Sequence, residues 1–329
     1  MPVDFHAHVL AREILSDIGP ADWRPAIEPQ PSGGYMVHNA QHINGPMFLP
    51  MVDPAEIIAK RREVGIDLTV VSPPPDAFFY ELAPAENASQ LQNDGLARMV
   101  ADHPQHLAAL GTLPLQDVPL AVKELERVMT ELHLVGVEIA SNINGTELGD
   151  PRFRAFWEAA AALGAVVLVH PSFFQSLGGD RLKPYDLRRL MGNLLETACA
   201  AAHLIFSGTL EAYPQLKIVL VHGGGVLPYL VGRLDHGYGV RAKAREKLPN
   251  LPSSYVRRFY YDTVTHYAPA LQYLVDLVGA DHVVLGSDYP FDMGDEHQVE
   301  FVNQVPGFRQ AERDQILSGT ALRLLGRAG

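Results

Sequence analysis

The chain has 329 residues, of which 47% are hydrophobic and 19% are charged, so it can bury one large core. The formal net charge of −12 argues against nucleic acid and anionic membranes as partners, because their phosphates would repel the chain. No apolar run approaches the roughly 20 residues that span a bilayer, and no signal-peptide pattern is present. A single cysteine, Cys199, excludes an internal disulfide, so we expect a soluble cytoplasmic protein in which Cys199 is a small buried side chain.

Eight short runs rich in β-branched residues recur along the chain, and each is followed by a segment with helical spacing. Several runs are apolar throughout, which is typical of parallel strands that are buried on both faces. The predicted strands are Pro2–His8, Leu68–Ser72, Leu107–Leu113, Leu134–Ala140, Val166–His170, Ile218–His222, Phe259–Asp262 and Val283–Asp288.

Helical segments alternate with these strands. The first is expected to begin after Asp53, a suitable N-cap that is followed by proline. The predicted helices are Pro54–Val64, Ala85–Asp102, Pro119–Leu132, Pro151–Leu163, Leu187–Tyr213, Val226–Tyr238, Ala268–Val278 and Gln310–Leu325. Eight strands alternating with helices predict an α/β protein with a closed (β/α)₈ TIM-type barrel, as a single domain over residues 1–329. A long insertion after the first strand, residues 10–51, is expected to cover the active site as a lid.

Histidines and one aspartate fall at the ends of four predicted strands. His6 and His8 are two residues apart in the first strand, so their side chains share a face. His170, His222 and Asp288 end the fifth, sixth and eighth strands, and barrel enzymes carry out their chemistry at such ends. Imidazole nitrogen with one carboxylate suits a borderline metal such as zinc. The pattern predicts one catalytic divalent metal ion bound by His6, His8, His170 and Asp288.

The segments DFHAHV, VLVHP, VLVHGGG and LGSDYPF together resemble the amidohydrolase superfamily, in the branch that contains aminocarboxymuconate semialdehyde decarboxylase. Further matching segments are PLQD, FSGTLEAYPQLKIVLVHGGG, LVGRLD and SGTALRLL, so the resemblance covers nearly the whole chain. It implies the same four metal ligands, zinc as the expected ion with manganese as the alternative, and no organic cofactor. It also implies a homodimer or a higher homo-oligomer.

The resemblance implies roles for residues around the metal. His222 would act as general acid or base at a water activated by the metal, and Asp288 would assist it. Arg233 would pair with a substrate carboxylate, with a dimer interface as one route to the site, because guanidinium binds carboxylate bidentately. Phe291 would lie beside the substrate. The alternatives are a surface salt bridge for Arg233 and core packing for Phe291.

Two departures from the family pattern bear on metal number and substrate. The fourth strand lacks the carboxylated lysine of binuclear relatives, which favours one metal and leaves Glu138 as a paired carboxylate inside the barrel. The first loop lacks the second arginine of the muconate decarboxylase, so His42 and Asn44 would contact the substrate instead, unless both are simply solvated. This loop suits a mono-acid or a phenolic ring.

The function predicted from these features is non-oxidative decarboxylation of a small unsaturated or aromatic carboxylic acid, with the metal as Lewis acid. The preference for decarboxylation comes from the resemblance, since the ligand pattern alone indicates only a catalytic metal. One alternative is metal-dependent hydrolysis of an amide, a lactone or a related C=O substrate. The other is an inactive barrel that serves as a binding protein.

Overall fold

The computed structural model describes residues 1–15, 26–29, 35–38, 43–47, 51–80, 86–172 and 177–327. Within these residues, eight parallel strands form one sheet in which each strand pairs with the next along the chain. The strands are β1 Val3–His8, β2 Leu68–Ser72, β3 Leu107–Gly111, β4 Gly136–Ala140, β5 Val166–His170, β6 Lys217–Leu220, β7 Tyr260–Asp262 and β8 Val283–Val284.

The chain after β8 returns to β1. The backbone N–H of Phe5 donates to the carbonyl of Leu285 over 2.8 Å, and Ala7 forms a parallel bridge with Tyr289. These bonds close the sheet, so the predicted (β/α)₈ barrel is confirmed. The eighth strand is shorter than predicted, because regular pairing with β7 ends at Val284.

Helices alternate with the strands as predicted, and none of those described is both long and apolar enough to cross a bilayer. Their bounds are α1 Pro54–Glu63, α2 Glu86–Asp102, α3 Val118–Thr130, α4 Arg154–Leu163, α5 Asn193–Phe206, α6 Thr209–Ala212, α7 Leu227–Val240, α8 Ala242–Arg245, α9 Ser253–Val256, α10 Ala268–Val278, α11 Gln298–Gln304, α12 Gln310–Asp314 and α13 Thr320–Leu324.

Two predicted helices are interrupted. The segment predicted as one helix from Leu187 to Tyr213 begins with a π-helical turn and divides at Gly208, whose φ of +79° ends α5. A second π-helical turn separates α12 from α13 in the last predicted helix. Neither interruption is apparent from hydrophobic spacing, because apolar residues recur at helical spacing on both sides of each one.

The insertion after β1 contains structure that the sequence analysis did not predict. Three short antiparallel strands, Ala26–Pro29, Tyr35–His38 and Ile43–Met47, form a separate sheet. The expected lid over the active site falls largely outside the described residues, and the lid stays a prediction.

A change of side-chain direction within β1 directs its histidines into the barrel. Val3 and Phe5 pack with alternate residues of the other strands in the barrel interior, whereas Ala7 packs in the outer core that faces the helices. The register of β1 against β2 shifts between Asp4 and Ala7, which is the signature of a β-bulge. The extra residue moves the following even-numbered positions onto the inner face.

On the outer side of the same bulge, Asp4 forms a buried ion pair. Its Oδ2 atom lies 3.0 Å from Nη2 of Arg61 in α1, and the two side chains are 0% and 2% exposed. The Ser287 hydroxyl donates to the same carboxylate over 2.6 Å, and Arg61 lies over the ring of Tyr289 at 4.9 Å. This pair therefore joins α1 to β1 and to the chain after β8, directly behind the predicted metal ligands.

We predict that Arg61→Met destabilises the protein by about 3–5 kcal/mol, because Asp4 would keep its buried charge without a cation. Arg62→Met is the matched control, since Arg62 is the next residue along the helix and is exposed. Urea unfolding of both variants measures the difference. Equal stability of the two variants would show that the buried pair contributes nothing.

Candidate metal centre

Four predicted ligands converge at the carboxyl end of the barrel. One ligand atom from each lies within 4.8 Å of those of the other three, and all four residues are buried. The Oδ1 atom of Asp288 lies 3.1 Å from His8 Nε2, 3.4 Å from His6 Nε2 and 3.9 Å from His170 Nε2. The sequence-based prediction that these residues share one pocket is therefore confirmed.

The positions of the ring nitrogens suit binding to a shared cation better than hydrogen bonding to one another. The Nε2 atoms of His6 and His8 face each other at 3.1 Å, and Nε2 of His170 is buried without a hydrogen-bond partner. A tetrahedral zinc ion with bonds of about 2.0–2.3 Å separates its ligand atoms by about 3.3–3.7 Å. One divalent ion among these buried ligand atoms would satisfy the nitrogens.

The other ring nitrogens are fixed by protein oxygens. His6 Nδ1 donates to Oδ2 of Asp262 over 2.7 Å, and His170 Nδ1 donates to the carbonyl of Pro171 over 2.7 Å. Each of these bonds keeps a proton on Nδ1 and makes Nε2 the nitrogen that can bind a metal. The two imidazoles are thus held in the tautomer that ligation requires.

Asp262 is itself held in place from two sides. Its Oδ1 atom accepts the backbone N–H of Gly223 over 2.7 Å and that of Val264 over 3.1 Å. Asp262 ends the seventh predicted strand, and the sequence pattern indicated no role for it. Its position at a strand end, like those of the ligands, was the signal that could have found it.

The pKa values of the ligand side chains are shifted by their burial and by their mutual charges. Burial opposes the charged form of His6, but the carboxylates of Asp288 and Asp262 raise its pKa to about 9. Burial lowers the pKa of His170 to about 3. Burial would raise the pKa of Asp288, but the surrounding histidines, His6 first, hold it well below its usual value. Without a metal, His6 is therefore a positively charged imidazolium at neutral pH, with a second proton on Nε2.

His222 stands beside the ligands on a strained turn. Its Nε2 atom lies 3.4 Å from Oδ2 of Asp288, the carboxylate oxygen that faces away from His8. Both His222 and Asp288 have positive φ angles, of 55° and 58°, which is costly for residues with a side chain. The glycines that follow His222 make this turn possible, since a Cβ at Gly225 would lie 2.1 Å from the carbonyl of Leu194.

A cavity of about 470 Å³ opens next to His222 and Asp288. Its wall is largely aromatic and aliphatic, and the side chains that contribute most to this character are Pro228, Tyr229, Val264, Tyr267, Tyr273 and Leu274. Arg189 also lines it and forms ion pairs with Asp186 and Asp292 at 3.7 and 3.6 Å. A cavity of this size and character accommodates a single substituted ring.

The remaining predicted site residues occupy different places. Phe291 packs its ring against that of His8 at 5.0 Å, so it borders the metal centre. Arg233 is exposed on α7 and does not line the cavity, although it lies one turn from Tyr229, which does. His42 lies outside the described residues, and the side chain of Asn44 is not described.

The chain matches the family model described as amidohydrolase over residues 3–327. It belongs to the amidohydrolase family. It is 32% identical to 2-amino-3-carboxymuconate-6-semialdehyde decarboxylase of Dictyostelium discoideum, over 99% of this chain and 92% of the relative. It is 31% identical to gamma-resorcylate decarboxylase of a Polaromonas strain, over 80% of this chain and 84% of that enzyme.

Among solved structures, this amidohydrolase resembles 5-carboxyvanillate decarboxylase LigW from Sphingomonas paucimobilis. The TM-score is 0.83 and the identity 27%, over 99% of this chain and 98% of the other. The sequence-based assignment to the superfamily and to the branch of decarboxylases is thus confirmed.

Glu138 is a further residue near the centre. Its carboxylate is wholly buried inside the barrel, and Oε2 lies 3.7 Å from Nδ1 of His8. Burial raises the pKa of this carboxyl group. Its place in the barrel interior agrees with the prediction, but neither carboxylate oxygen has a hydrogen-bond partner among the described residues, and the pairing is limited to the 3.7 Å approach of His8.

We predict that Asp262→Asn lowers metal affinity about 10- to 100-fold. An amide NH₂ facing His6 Nδ1 would favour the tautomer with the proton on Nε2, which cannot bind a metal. Competition with a chromophoric chelator measures the affinity, and Asp276→Asn, at an exposed position on α10, is the control. Unchanged affinity in Asp262→Asn would contradict the orienting role.

We also predict that metal binding to the metal-free amidohydrolase releases the His6 proton. Because the pKa of His6 is about 9, this proton is present at neutral pH and is lost as pH rises through that value. The contribution of His6 to apparent affinity therefore increases by about one log unit per pH unit up to this pKa and is constant above it. Calorimetry of manganese binding in two buffers of different ionisation enthalpy counts the protons, and zero release at neutral pH would refute the prediction.

Proposed function

We propose that this amidohydrolase is a metal-dependent carboxy-lyase that removes carbon dioxide from a small aromatic or unsaturated carboxylic acid. The observation that carries the proposal is the position of His222 and Asp288, which form the boundary between a complete one-metal ligand set and a cavity of ring size. The relatives named above are decarboxylases, and their names support lyase chemistry over hydrolysis.

The residues of this chain suit each part of that reaction. A divalent ion held by the four ligands supplies a Lewis acid for the negative charge that develops on the substrate. The apolar wall holds the ring and excludes water, which strengthens the electrostatic interactions at the polar end of the cavity. No organic cofactor is needed, because the conjugated substrate itself accepts the electrons of the broken bond.

His222 is the proposed proton donor. Its Nε2 atom lies 3.4 Å from Asp288 Oδ2, and His222 also lines the cavity. A proton on Nε2 could therefore be shared with the Asp288 carboxylate and then donated to a substrate in the cavity. The ring carbon accepts this proton, the bond to the carboxylate breaks, and carbon dioxide leaves. Charge is balanced, since the proton replaces the carboxylate carbon on the ring and His222 is reprotonated from solvent.

Substrate selection involves residues beyond the cavity of one chain. Arg233 and Tyr229 share one exposed face of α7, and Tyr229 is 87% exposed although it lines the cavity. A homodimer that pairs through this face would bring Arg233 of a second copy towards a substrate carboxylate. His42 and Asn44 of the first loop are proposed as further polar contacts, and Phe291 as the aromatic contact beside the metal.

Zinc is the proposed ion, because three imidazoles and a carboxylate suit its borderline character. Manganese is the alternative, and a crystal structure of a dihydroxybenzoic acid decarboxylase from Polaromonas, with the same fold, contains bound manganese. A cytoplasmic location stays a prediction.

Hydrolysis is the second candidate function, because the same ligand set can activate water towards an amide or lactone. Assays on one panel of candidate substrates separate the two reactions. The panel contains 2,6-dihydroxybenzoate, 5-carboxyvanillate and 6-methylsalicylate together with ring-matched esters, lactones and amides. Carbon dioxide release identifies a lyase, whereas a new carboxylate product identifies a hydrolase.

We predict that His222→Asn lowers kcat for carbon dioxide release about 10²- to 10⁴-fold while metal content is retained, because the proton donor is lost and all four ligands remain. In deuterium oxide, the wild-type product should carry deuterium at the carbon that lost the carboxylate. His106→Asn is the control, since the His106 side chain bonds the carbonyl of Asp67, which precedes β2 at the end of the barrel opposite the site. Hydrolysis products alone, or full activity in His222→Asn, would overturn this assignment.

A further inference from the structure

A second group of metal-binding side chains lies away from the catalytic centre. Cys199 and His203 are four residues apart in α5, so they occupy the same face of the helix one turn apart. Glu147 faces them from the short strand Thr146–Glu147, which pairs with Asn142–Ile143 in a hairpin after β4. The sequence analysis predicted a buried role for Cys199, but the structure leaves the thiol half-buried beside Glu147.

The three ligand atoms are spaced as a small cation requires. Oε1 of Glu147 lies 3.9 Å from Sγ of Cys199 and 3.8 Å from Nε2 of His203, and all three atoms lie within 4.8 Å of one another. A tetrahedral zinc ion needs separations of about 3.3–3.7 Å between its oxygen, nitrogen and sulfur ligands. The His203 and Glu147 side chains are partly exposed, so rotation about their side-chain bonds would bring the three atoms to these values.

The surroundings leave room for a fourth ligand. Glu147 and His203 line a separate cavity of about 510 Å³ that is open to solvent. Arg152, which lines the same cavity, is paired with Asp150 at 3.2 Å, so its charge is compensated locally. Glu196 is the other nearby carboxylate. It accepts hydrogen bonds from Ser141 and Asn142, so it is not counted among the proposed ligands.

We propose that Glu147, Cys199 and His203 form a second metal site that takes a borderline or soft divalent cation of the zinc class, with water as the fourth ligand. A thiolate and an imidazole select such ions over magnesium or calcium. Binding replaces the thiol proton by the metal and releases that proton to solvent. The bound ion joins the hairpin after β4 to α5.

The state of the thiol without metal agrees with this site. Burial and the negative charge of Glu147 raise the pKa of Cys199 to about 11, so the thiol is neutral and unreactive when no cation is present. A cation is then required to stabilise the thiolate. Affinity at the second site should therefore rise with pH, as thiol deprotonation becomes easier.

Cobalt titration tests the proposal directly, because Cys199 is the only cysteine of the chain and the catalytic ligands contain no sulfur. Any thiolate-to-cobalt charge-transfer band must then come from this site. We expect the wild-type protein to bind two equivalents of Co²⁺ with such a band. Cys199→Ser should bind one equivalent without the band and keep its catalytic activity.

Two further variants test the shared coordination. Glu147→Gln and His203→Gln should each weaken binding of the second equivalent at least tenfold, whereas His133→Asn, at an exposed histidine with positive φ, should not. These side chains are half-exposed, so the variants should fold even if Cys199→Ser does not. Absence of the band in the wild type, or a band unaffected by both variants, would overturn the site. None of these outcomes bears on decarboxylation, so the two proposals fail separately.

Discussion

The carboxylate of Asp288 is the interaction on which the rest of the site depends. It lies nearly buried at the mouth of the barrel, where an isolated charge would be strongly destabilising. The structure compensates it with ring nitrogens from several strands, of which those of His6, His8 and His222 lie within 3.4 Å. In the metal-free protein, a protonated His6 supplies the positive charge that balances this carboxylate. The metal centre is therefore a charge-balanced cluster in which a divalent ion can replace a proton.

This cluster imposes unusual backbone geometry on the strand ends. The bulge in β1 reverses the side-chain alternation, so that Phe5 fills the barrel interior while His6, the next residue, also points inward. Asp4 then points outward, where it is neutralised by Arg61. At the same carboxyl end of the barrel, His222 and Asp288 have positive φ angles. Strain at both positions is consistent with side chains that are placed for ligation and proton transfer rather than for stability.

Much of this architecture follows from local sequence, and the exceptions have physical reasons. Continuous apolar runs predict the barrel strands because both of their faces are buried, and Asp53 caps α1 as expected, with its side chain accepting from Ala55. The bulge in β1 cannot be read from alternation, because a register shift depends on how β1 meets its neighbour. Asp262 was missed for a similar reason. Its role depends on meeting His6 across the barrel, 256 residues away in sequence.

The acidity of the whole chain gives the last constraint on substrate choice. A net charge of −12 repels a carboxylate substrate, so the anion must be neutralised where it binds. Arg189 lines the cavity but already pairs with two aspartates, and it therefore offers little net positive charge. Among the described groups at the cavity, a metal held by the four ligands would then be the main positive charge, which is sufficient for one carboxylate or a phenolate beside it. A second carboxylate would need a cation from outside the cavity, and Arg233 of a second copy is the residue proposed for that role. Selectivity between mono-acids and di-acids would accordingly depend on assembly as well as on the barrel itself.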